Sequence, residues 1–507
     1  MPPPGAARPE RARTTREHAL RGALTMGGSQ FARIVLQAMS IVVLARLLSP
    51  SDYGLIAMVT AIVGVAEVLR DFGLTFASVQ AKVMTRELQD NLFWLNALAG
   101  LVLSVAAYFA AVPIADLYGE PRLVPITHVV CWVFLINGIS AQARADLNRR
   151  LRFGTLALGD TGAVLIGFVA TLVAALLGAG YWALVVQLVL PTILATVFYL
   201  VAAGWIPGRY HREVSTMAML RYGASLVANQ VLNYAMINSD SVIIGTRLGA
   251  ASLGIYDRAF QLLALPLSKL SVPATKVALP LLSRVQAEPE RFRRLLLRGQ
   301  TVVVHPVLLL FSVMVGFGEI LIPLVLGGQW HPAVVPFQIL CFGGCLNALT
   351  VVTNWAFMAT GSMRAYLKVT AVTAPVTVAC MYVGSRWGID GVAAGFTLGT
   401  AAYWPMSLWW LRRQPQVPGI VLLRRGLRAL LWHGAPGVLA AWLVHRGGAS
   451  AASGGIALAG YLVLWLGILA ALPPLRDEVR VILDLVRRRL HRAAAPDADL
   501  SAGAGAG

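Results

Sequence analysis

The chain has 507 residues, of which 57% are hydrophobic and only 13% are charged, and its mean hydropathy is +0.70. Soluble proteins carry about a quarter charged residues, so this composition excludes an ordinary soluble enzyme and indicates a chain whose solvent is lipid. A net charge of +19 would suggest nucleic-acid binding in a soluble protein. The positions of the charges, described below, favour a membrane topology instead, and no nucleic-acid partner is expected.

Apolar segments of about twenty residues, long enough for a helix to cross a bilayer, recur between Met26 and Pro473. The basic N-terminal tail is not followed by a small-residue cleavage site, so residue 26 is expected to begin a permanent span rather than a signal peptide. We predict an all-α, polytopic membrane protein with about fourteen transmembrane helices. The predicted spans are 26–45, 53–76, 91–113, 123–143, 154–177, 180–204, 222–246, 254–275, 299–324, 334–357, 366–385, 391–411, 427–444 and 455–473.

Basic residues are concentrated in every second loop between these spans. One set of loops with the span ends that adjoin them, together with both tails, holds 33 of the 42 lysines and arginines, and the opposite loops hold five. Because cytoplasmic loops carry the excess of Lys and Arg, both termini are predicted to be cytoplasmic in the cell (inner) membrane. The opposite loops are too short for the acidic or histidine-rich domain of a membrane glycosyltransferase, ligase or polymerase, so we do not expect an enzyme.

Two pairs of segments recur at an offset of about 200 residues, which indicates an internal repeat. Residues 46–54 are echoed by residues 247–256, and residues 119–137 by residues 328–347. We therefore predict two like-oriented six-helix bundles plus two extra C-terminal helices. The predicted divisions are a basic cytoplasmic tail (1–25), an N-terminal bundle (26–204), a basic cytoplasmic linker (205–221), a C-terminal bundle (222–411), a cytoplasmic loop with spans 13 and 14 (412–473), and a cytoplasmic tail whose end is expected to be disordered (474–507).

Among the basic side chains inside the predicted spans, Arg33, Arg70 and Lys269 lie at a similar depth, near the cytoplasmic ends of spans 1, 2 and 8. A charge inside the bilayer is costly and commonly functional, and guanidinium groups match phosphate oxygens bidentately. The three residues are therefore candidates for binding a phosphate-bearing substrate. The alternative is that they snorkel to the headgroups, and for Arg70 a structural pairing with Glu67 or Asp71 is a further alternative.

Polar residues form a stripe on one face of the first span of each predicted bundle. Ser29 and Gln37 accompany Arg33 in span 1, and Asn229 and Asn233 lie in span 7. Such a face is expected to line a cavity or to make hydrogen bonds between helices, because it does not face lipid.

Two in-span carboxylates, Asp240 and Asp160, are candidates for taking up a coupling ion, with a structural ion pair as the alternative. The four cysteines lie in apolar spans without histidine partners, so neither a metal site nor a cofactor is expected. No GxxxxGK[ST] phosphate loop is present, so ATP is not the expected energy source. Gly391, Gly395 and Gly399 repeat at four-residue spacing, which predicts close packing of another helix.

Several segments resemble signatures of the polysaccharide transporter family within the multidrug/oligosaccharidyl-lipid/polysaccharide exporters. They are Leu44–Leu55, Asp71–Leu74, Val79–Gln80, Asp240–Gly245, Leu253–Arg258 and Gly328–Trp330. The resemblance implies a Wzx-type flippase. Such a protein moves undecaprenyl-diphosphate-linked oligosaccharides across the cytoplasmic membrane by alternating access, commonly driven by an ion gradient, for O-antigen, capsule or exopolysaccharide synthesis.

On this resemblance the three basic residues would bind the diphosphate, and the expected partners are lipid-linked oligosaccharide, membrane lipid, and the polymerase and other polysaccharide-assembly proteins. Three alternatives stay open: a flippase for the peptidoglycan precursor lipid, a cation-coupled drug exporter of the same superfamily, and a membrane scaffold or synthase subunit of a polysaccharide pathway.

Overall fold

The computed structural model describes residues 8–70, 85–213, 234, 236–481 and 484, with side chains described from residue 28 onward except at 66–70. These residues form fifteen α-helices and short 3-10 turns, and they contain no β-strand. The helices are α1 (Arg8–Leu47), α2 (Pro50–Arg70), α3 (Arg86–Tyr118), α4 (Leu123–Val130), α5 (Trp132–Arg149), α6 (Phe153–Leu176), α7 (Tyr181–Ala203), α8 (Ser239–Arg284), α9 (Pro289–Gly316), α10 (Gly318–Leu326), α11 (Val334–Ala359), α12 (Met363–Gly384), α13 (Gly388–Leu411), α14 (Gly419–Arg446) and α15 (Ala451–Ala471). A further helical segment covers residues 473–481. The predicted all-α class is confirmed.

Within the described residues, eleven helical segments are long and apolar enough to cross a membrane. The prediction of about fourteen differs for three reasons. Helices α12 and α13 fall in one stretch, Met363–Leu411, and the described part of α2 provides only the shorter apolar helix Pro50–Val65. Residues 222–233 of the seventh predicted span lie outside the described residues, and its end shares the stretch Ser239–Arg284 with the eighth. The chain is a multi-pass membrane protein.

Helix α8 consists of two helices joined at a kink, and the kink falls where the sequence predicted a loop at 247–253. The predicted loop is only a kink at Gly249, whose φ of 82° and ψ of 177° are not helical. A positive φ is accessible to glycine because it has no Cβ. The chain therefore turns from the seventh predicted span into the eighth at a single residue.

The chain forms two compact units that divide inside α8. Unit 1 contains residues 1–257 and 325–329, and unit 2 contains residues 258–324 and 330–507. In unit 1, α3 contacts α5, α5 contacts α7, and α6 contacts α7. In unit 2, α9 contacts α11, α11 contacts α13, and α12 contacts α13. The same pairing order in each unit supports the predicted repeat. The predicted domain boundaries and the superposition of the halves stay predictions.

In unit 1, α2 and α8 cross at two glycines that belong to the two repeated segments. A Cβ at Gly54 would lie 1.7 Å from the carbonyl oxygen of Ala250, and a Cβ at Gly254 would lie 1.8 Å from that of Pro50. Nonbonded atoms do not approach so closely, so the crossing requires glycine at both positions. Nearby, Gln329 donates its side-chain amide to the carbonyl oxygens of Ala45 (2.6 Å) and Leu48 (3.1 Å).

In unit 2, the glycines at four-residue spacing bring α13 against the backbone of α12. A Cβ at Gly391 would lie 2.0 Å from the carbonyl oxygen of Gly384, and a Cβ at Gly395 would lie 2.6 Å from that of Cys380. A Cβ at Gly399 would lie 2.2 Å from the Thr377 hydroxyl. The close approach predicted from the spacing is therefore present.

Replacing Gly395 by leucine is expected to destabilise the protein by about 3 kcal/mol or more, because the new side chain meets backbone that cannot move aside. The thermal unfolding midpoint of the purified protein should fall, and less protein should accumulate in membranes. Gly467→Leu in α15 is the control, since no atom lies within 4 Å of a Cβ there. Equal unfolding midpoints for both variants would contradict this packing.

A buried chain of polar side chains links α9, α14, α15 and the 473–481 segment in unit 2. The Trp465 indole N–H donates to Nδ1 of His433 (3.3 Å), Nε2 of His433 meets Nδ1 of His305 (3.1 Å), and Nε2 of His305 meets the Glu478 carboxylate (3.0 Å). Because an indole N–H only donates, every link is satisfied when both histidines are neutral and protonated at Nε2. Arg428 also pairs with Glu478.

Burial alone would raise the pKa of the Glu478 carboxyl, but the hydrogen bond from His305 and the charges of Arg428 and Arg425 outweigh it and hold that pKa below its usual range. The stability contributed by this carboxylate is thus present above its unfolded pKa and is lost as pH falls through the lower folded pKa. At neutral pH the Glu478 carboxylate is therefore ionised and accepts its hydrogen bond from His305.

Replacing His305 by phenylalanine is expected to cost about 1–3 kcal/mol, because it leaves the buried Nε2–H of His433 without an acceptor and removes one hydrogen bond from the Glu478 carboxylate, which keeps its pair with Arg428. Trp465→Phe removes one donor at the end of the chain and should cost only about 1 kcal/mol. Thermal unfolding of the two purified variants at neutral pH measures the difference. Equal losses of stability in the two variants would show that these hydrogen-bonded side chains do not depend on one another.

Candidate functional site

A cluster of charged and polar side chains inside unit 1 joins four helices around the Asp160 carboxylate. Arg33 of α1 places Nη1 3.1 Å from Oδ2 of Asp160 in α6, and Arg144 of α5 places Nη2 3.2 Å from the same oxygen. The Tyr199 hydroxyl of α7 donates to Oδ1 of Asp160. The other terminal nitrogen of Arg33 donates to the Gln30 side chain at 2.5 Å.

The cluster carries two guanidinium groups on one carboxylate, so its net charge is +1. Asp160 is 19% exposed, whereas the side chains of Arg33 and Arg144 are 36% and 55% exposed. Ion pairs this open contribute little stability because water screens them. The carboxylate therefore orients the two guanidinium groups, and their exposed faces are able to bind an anion.

The structure brings together two residues that the sequence analysis assigned to different roles. Arg33 was a candidate for binding phosphate and Asp160 for taking up an ion, but the two side chains form one ion pair. Sequence reasoning missed Arg144, which it placed in a basic cytoplasmic loop, and Tyr199, which lies in an apolar span. A tyrosine hydroxyl buried among apolar residues needs a hydrogen-bond partner, and that need was the available signal for Tyr199.

The residues of the polar stripe predicted on the first span differ in burial, and their role as a cavity lining stays a prediction. Gln37 is exposed and Ser29 is half-buried with a polar contact of its own. Ser40, further along the same helix, accepts a hydrogen bond of 2.5 Å from Gln187 of α7. Asn229, Asn233 and the side chain of Arg70 lie outside the described residues, so their predicted roles stay predictions.

Lys269 and Asp240 both lie on α8 but in different surroundings. Lys269 is exposed and, within the part of the chain that the structure describes, it makes no hydrogen bond or ion pair. Asp240 is buried, its carboxylate accepts a hydrogen bond of 2.7 Å from the backbone N–H of Ser241, and Tyr256 lies beside it. No group of His, Cys, Asp and Glu side chains that could hold a metal ion occurs among the described residues.

Solved structures with a similar fold are membrane transport proteins. The chain is similar to a lipid II flippase MurJ in an inward closed conformation, with a TM-score of 0.65, 13% identity, and coverage of 90% of this chain and 100% of that one. It is also similar to an inward-facing multidrug resistance MATE family transporter of the MOP superfamily, with a TM-score of 0.59, 16% identity, and coverage of 77% and 95%. The fold is therefore the MurJ/MATE-like fold of multi-pass membrane proteins.

Residues 43–335, more than half of the chain, match the family described as polysaccharide biosynthesis protein. The chain belongs to this family. Its relatives include the lipopolysaccharide biosynthesis protein WzxC of Escherichia coli K12, which is 27% identical over 76% of this chain and 78% of its own length. The succinoglycan biosynthesis transport protein ExoT of Rhizobium meliloti is 24% identical over 58% of this chain and 60% of its own length.

Proposed function

We propose that this protein is a flippase that moves an undecaprenyl-diphosphate-linked oligosaccharide across the cytoplasmic membrane by alternating access. The observation that carries the proposal is the Asp160 cluster, which holds two partly exposed guanidinium groups and a net positive charge inside a membrane helix bundle. A diphosphate is the anionic part of such a lipid, and paired guanidinium groups suit its oxygens. Family membership and the MurJ/MATE-like fold support the same proposal.

In the proposed cycle, Arg33 and Arg144 bind the diphosphate while Asp160 holds their guanidinium groups in position. Arg70 and Lys269 complete the counter-charge, and Ser29, Gln37, Asn229 and Asn233 line the cavity and meet sugar hydroxyls. Asp160 and Asp240 are the proposed sites for a coupling ion. The protein sits in the inner membrane with both termini cytoplasmic, serves O-antigen, capsule or exopolysaccharide synthesis, and passes its product to a polymerase and other assembly proteins.

A second candidate cargo is the peptidoglycan precursor lipid, which also carries a diphosphate. The similarity to the lipid II flippase fold favours it, whereas the relatives' names concern lipopolysaccharide, teichuronic acid and succinoglycan synthesis. A cation-coupled drug exporter fits less well, because the cluster is positively charged. A scaffold or synthase subunit would tolerate neutralisation of the cluster.

Purified protein in liposomes containing a fluorescent undecaprenyl-diphosphate oligosaccharide tests the proposal directly. A membrane-impermeant enzyme that removes the fluorescent sugar reports how much substrate reaches the outer leaflet. We expect wild-type protein to make the inner-leaflet substrate accessible, and Arg33→Ala to abolish this. If wild-type liposomes match protein-free liposomes under imposed ion gradients of both polarities, the flippase proposal fails.

A further inference from the structure

A cleft in unit 2 lies apart from the Asp160 cluster and has a volume of about 350 Å³. Helices α9 and α14 and the 473–481 segment form its walls. Four of its lining residues are arginines and two are carboxylates: Arg294, Arg298, Arg425, Arg428, Asp477 and Glu478. The cleft therefore carries a net charge of +2.

The two carboxylates are already engaged by other groups. Glu478 pairs with Arg428, lies 3.7 Å from Nε of Arg425, and accepts the hydrogen bond from His305. Asp477 lies 3.3 Å from Nη1 of Arg480. Both carboxylates are thus neutralised by groups other than Arg294 and Arg298.

The remaining two arginines have no counter-charge among the residues that the structure describes. Arg294 makes only a long contact of 3.4 Å to the backbone oxygen of Glu290, and Arg298 makes no hydrogen bond or ion pair with any described residue. The Nε atom of Arg428 is buried and also lacks a hydrogen-bond partner among the residues described. The cleft therefore has N–H donors and positive charges that are not paired with its own carboxylates.

The helices hold these arginines in register. Arg294 and Arg298 are four residues apart on α9, and Arg425 and Arg428 are three apart on α14, so each pair projects from one helix face. Leu297, Pro474 and Val481 supply apolar wall beside the charges. The guanidinium groups of Arg294 and Arg298 therefore face one concavity and suit an anion with several oxygens, because each fork binds two of them.

We propose that this cleft binds a phosphate oxyanion, supplied either by the headgroup of an anionic phospholipid or by free phosphate. The site is separate from the proposed substrate cluster, and its occupancy does not depend on the flippase function. Arg294 and Arg298 bind the phosphate oxygens, and Arg428 donates its unused Nε–H. Glu478 remains bound to His305 and keeps the floor of the cleft fixed.

The test uses the purified full-length protein in a neutral detergent. Native mass spectrometry measures retention of phosphatidylglycerol and of phosphatidylcholine, and thermal unfolding measures stabilisation by sodium phosphate against sodium chloride of equal ionic strength. The Arg294→Gln, Arg298→Gln double variant should lose affinity for its anion by about tenfold or more, as expected for lost charge-assisted hydrogen bonds. Arg298→Lys should keep part of the binding, because the charge survives without the fork.

The matched control is the Arg293→Gln, Arg424→Gln double variant, which removes the same charge from exposed positions on α9 and α14 that do not line the cleft. Its binding should stay within about twofold of wild type, because neither of these side chains lines the cleft. Selective retention of phosphatidylglycerol over phosphatidylcholine identifies the lipid headgroup as the source. A higher unfolding midpoint in sodium phosphate than in sodium chloride identifies the free anion as the source. Equal losses in test and control variants, equal retention of both lipids with no phosphate effect, or no binding at all would overturn the proposal.

Discussion

Replacing Arg33 by alanine is expected to abolish export of the surface polymer while the protein remains in the membrane at its normal level. The side chain is partly exposed and its ion pair with Asp160 contributes little stability. Its proposed contact with the diphosphate is charge-assisted, so its loss should reduce transport by at least about tenfold. Arg33→Lys should restore part of the export, because the charge remains without the bidentate fork. Complementation of a strain that lacks its own flippase measures the effect.

A charge exchange separates substrate binding from structural pairing. In the Arg33→Asp, Arg144→Gln, Asp160→Arg triple variant the ion pair between α1 and α6 can re-form without a second arginine beside residue 160, but the carboxylate now occupies the position of the guanidinium on α1. If the pair serves only to hold α1 against α6, the exchange should restore export. We expect normal protein levels and no export. Full export from the exchange variant or from Arg33→Ala, Lys269→Ala would count against a diphosphate site.

Substituting alanine for either Gly54 or Gly254 should also abolish export. Each new methyl group would lie less than 2 Å from a backbone oxygen of the other helix, so α2 and α8 would have to separate. Overpacking of this kind costs about 1–3 kcal/mol or more. The crossing packs α2 against the first part of α8 within unit 1, so a variant that cannot close it should lose both thermal stability and transport.

Gly162→Ala in α6 is the control for this prediction, since a Cβ at that position meets no atom within 4 Å. Export and thermal unfolding are measured for all three variants. We expect Gly162→Ala to match wild type in both measurements. Export from Gly54→Ala at the wild-type rate would show that the crossing does not form during transport.

The helical class and the approximate spans could be predicted because they depend on local properties of the chain. Apolar runs of bilayer length and the alternation of basic loops record the preference of each segment for lipid or water. The exact ends could not be predicted in this way. The two helices of α8 meet at Gly249, whose positive φ turns the chain within the predicted loop 247–253, and hydropathy does not indicate at which residue such a kink falls.

Single residues of the Asp160 cluster could be predicted from the sequence, but their arrangement in one cluster could not. Arg33 and Asp160 stand out because each is a charge in an apolar segment, but 127 residues separate them, and nothing in the spacing indicates that they pair. Arg144 gave no such signal because a basic residue near a loop is ordinary. The buried chain through His305 and His433 was missed for the same reason, since each histidine alone resembles a common packing residue and only the fold aligns their ring nitrogens.

The crossing of α2 and α8 also limits how the protein can be altered genetically. At Gly54 and at Gly254 the opposing atom is a main-chain oxygen, and no codon change can make a main-chain atom smaller. A selection for second-site suppressors of Gly54→Ala should therefore return no substitution at Ala250 or Pro50 that restores the fit. Suppressors should instead map to positions that shift one helix along the other, such as residues that support the end of α1 near Gln329.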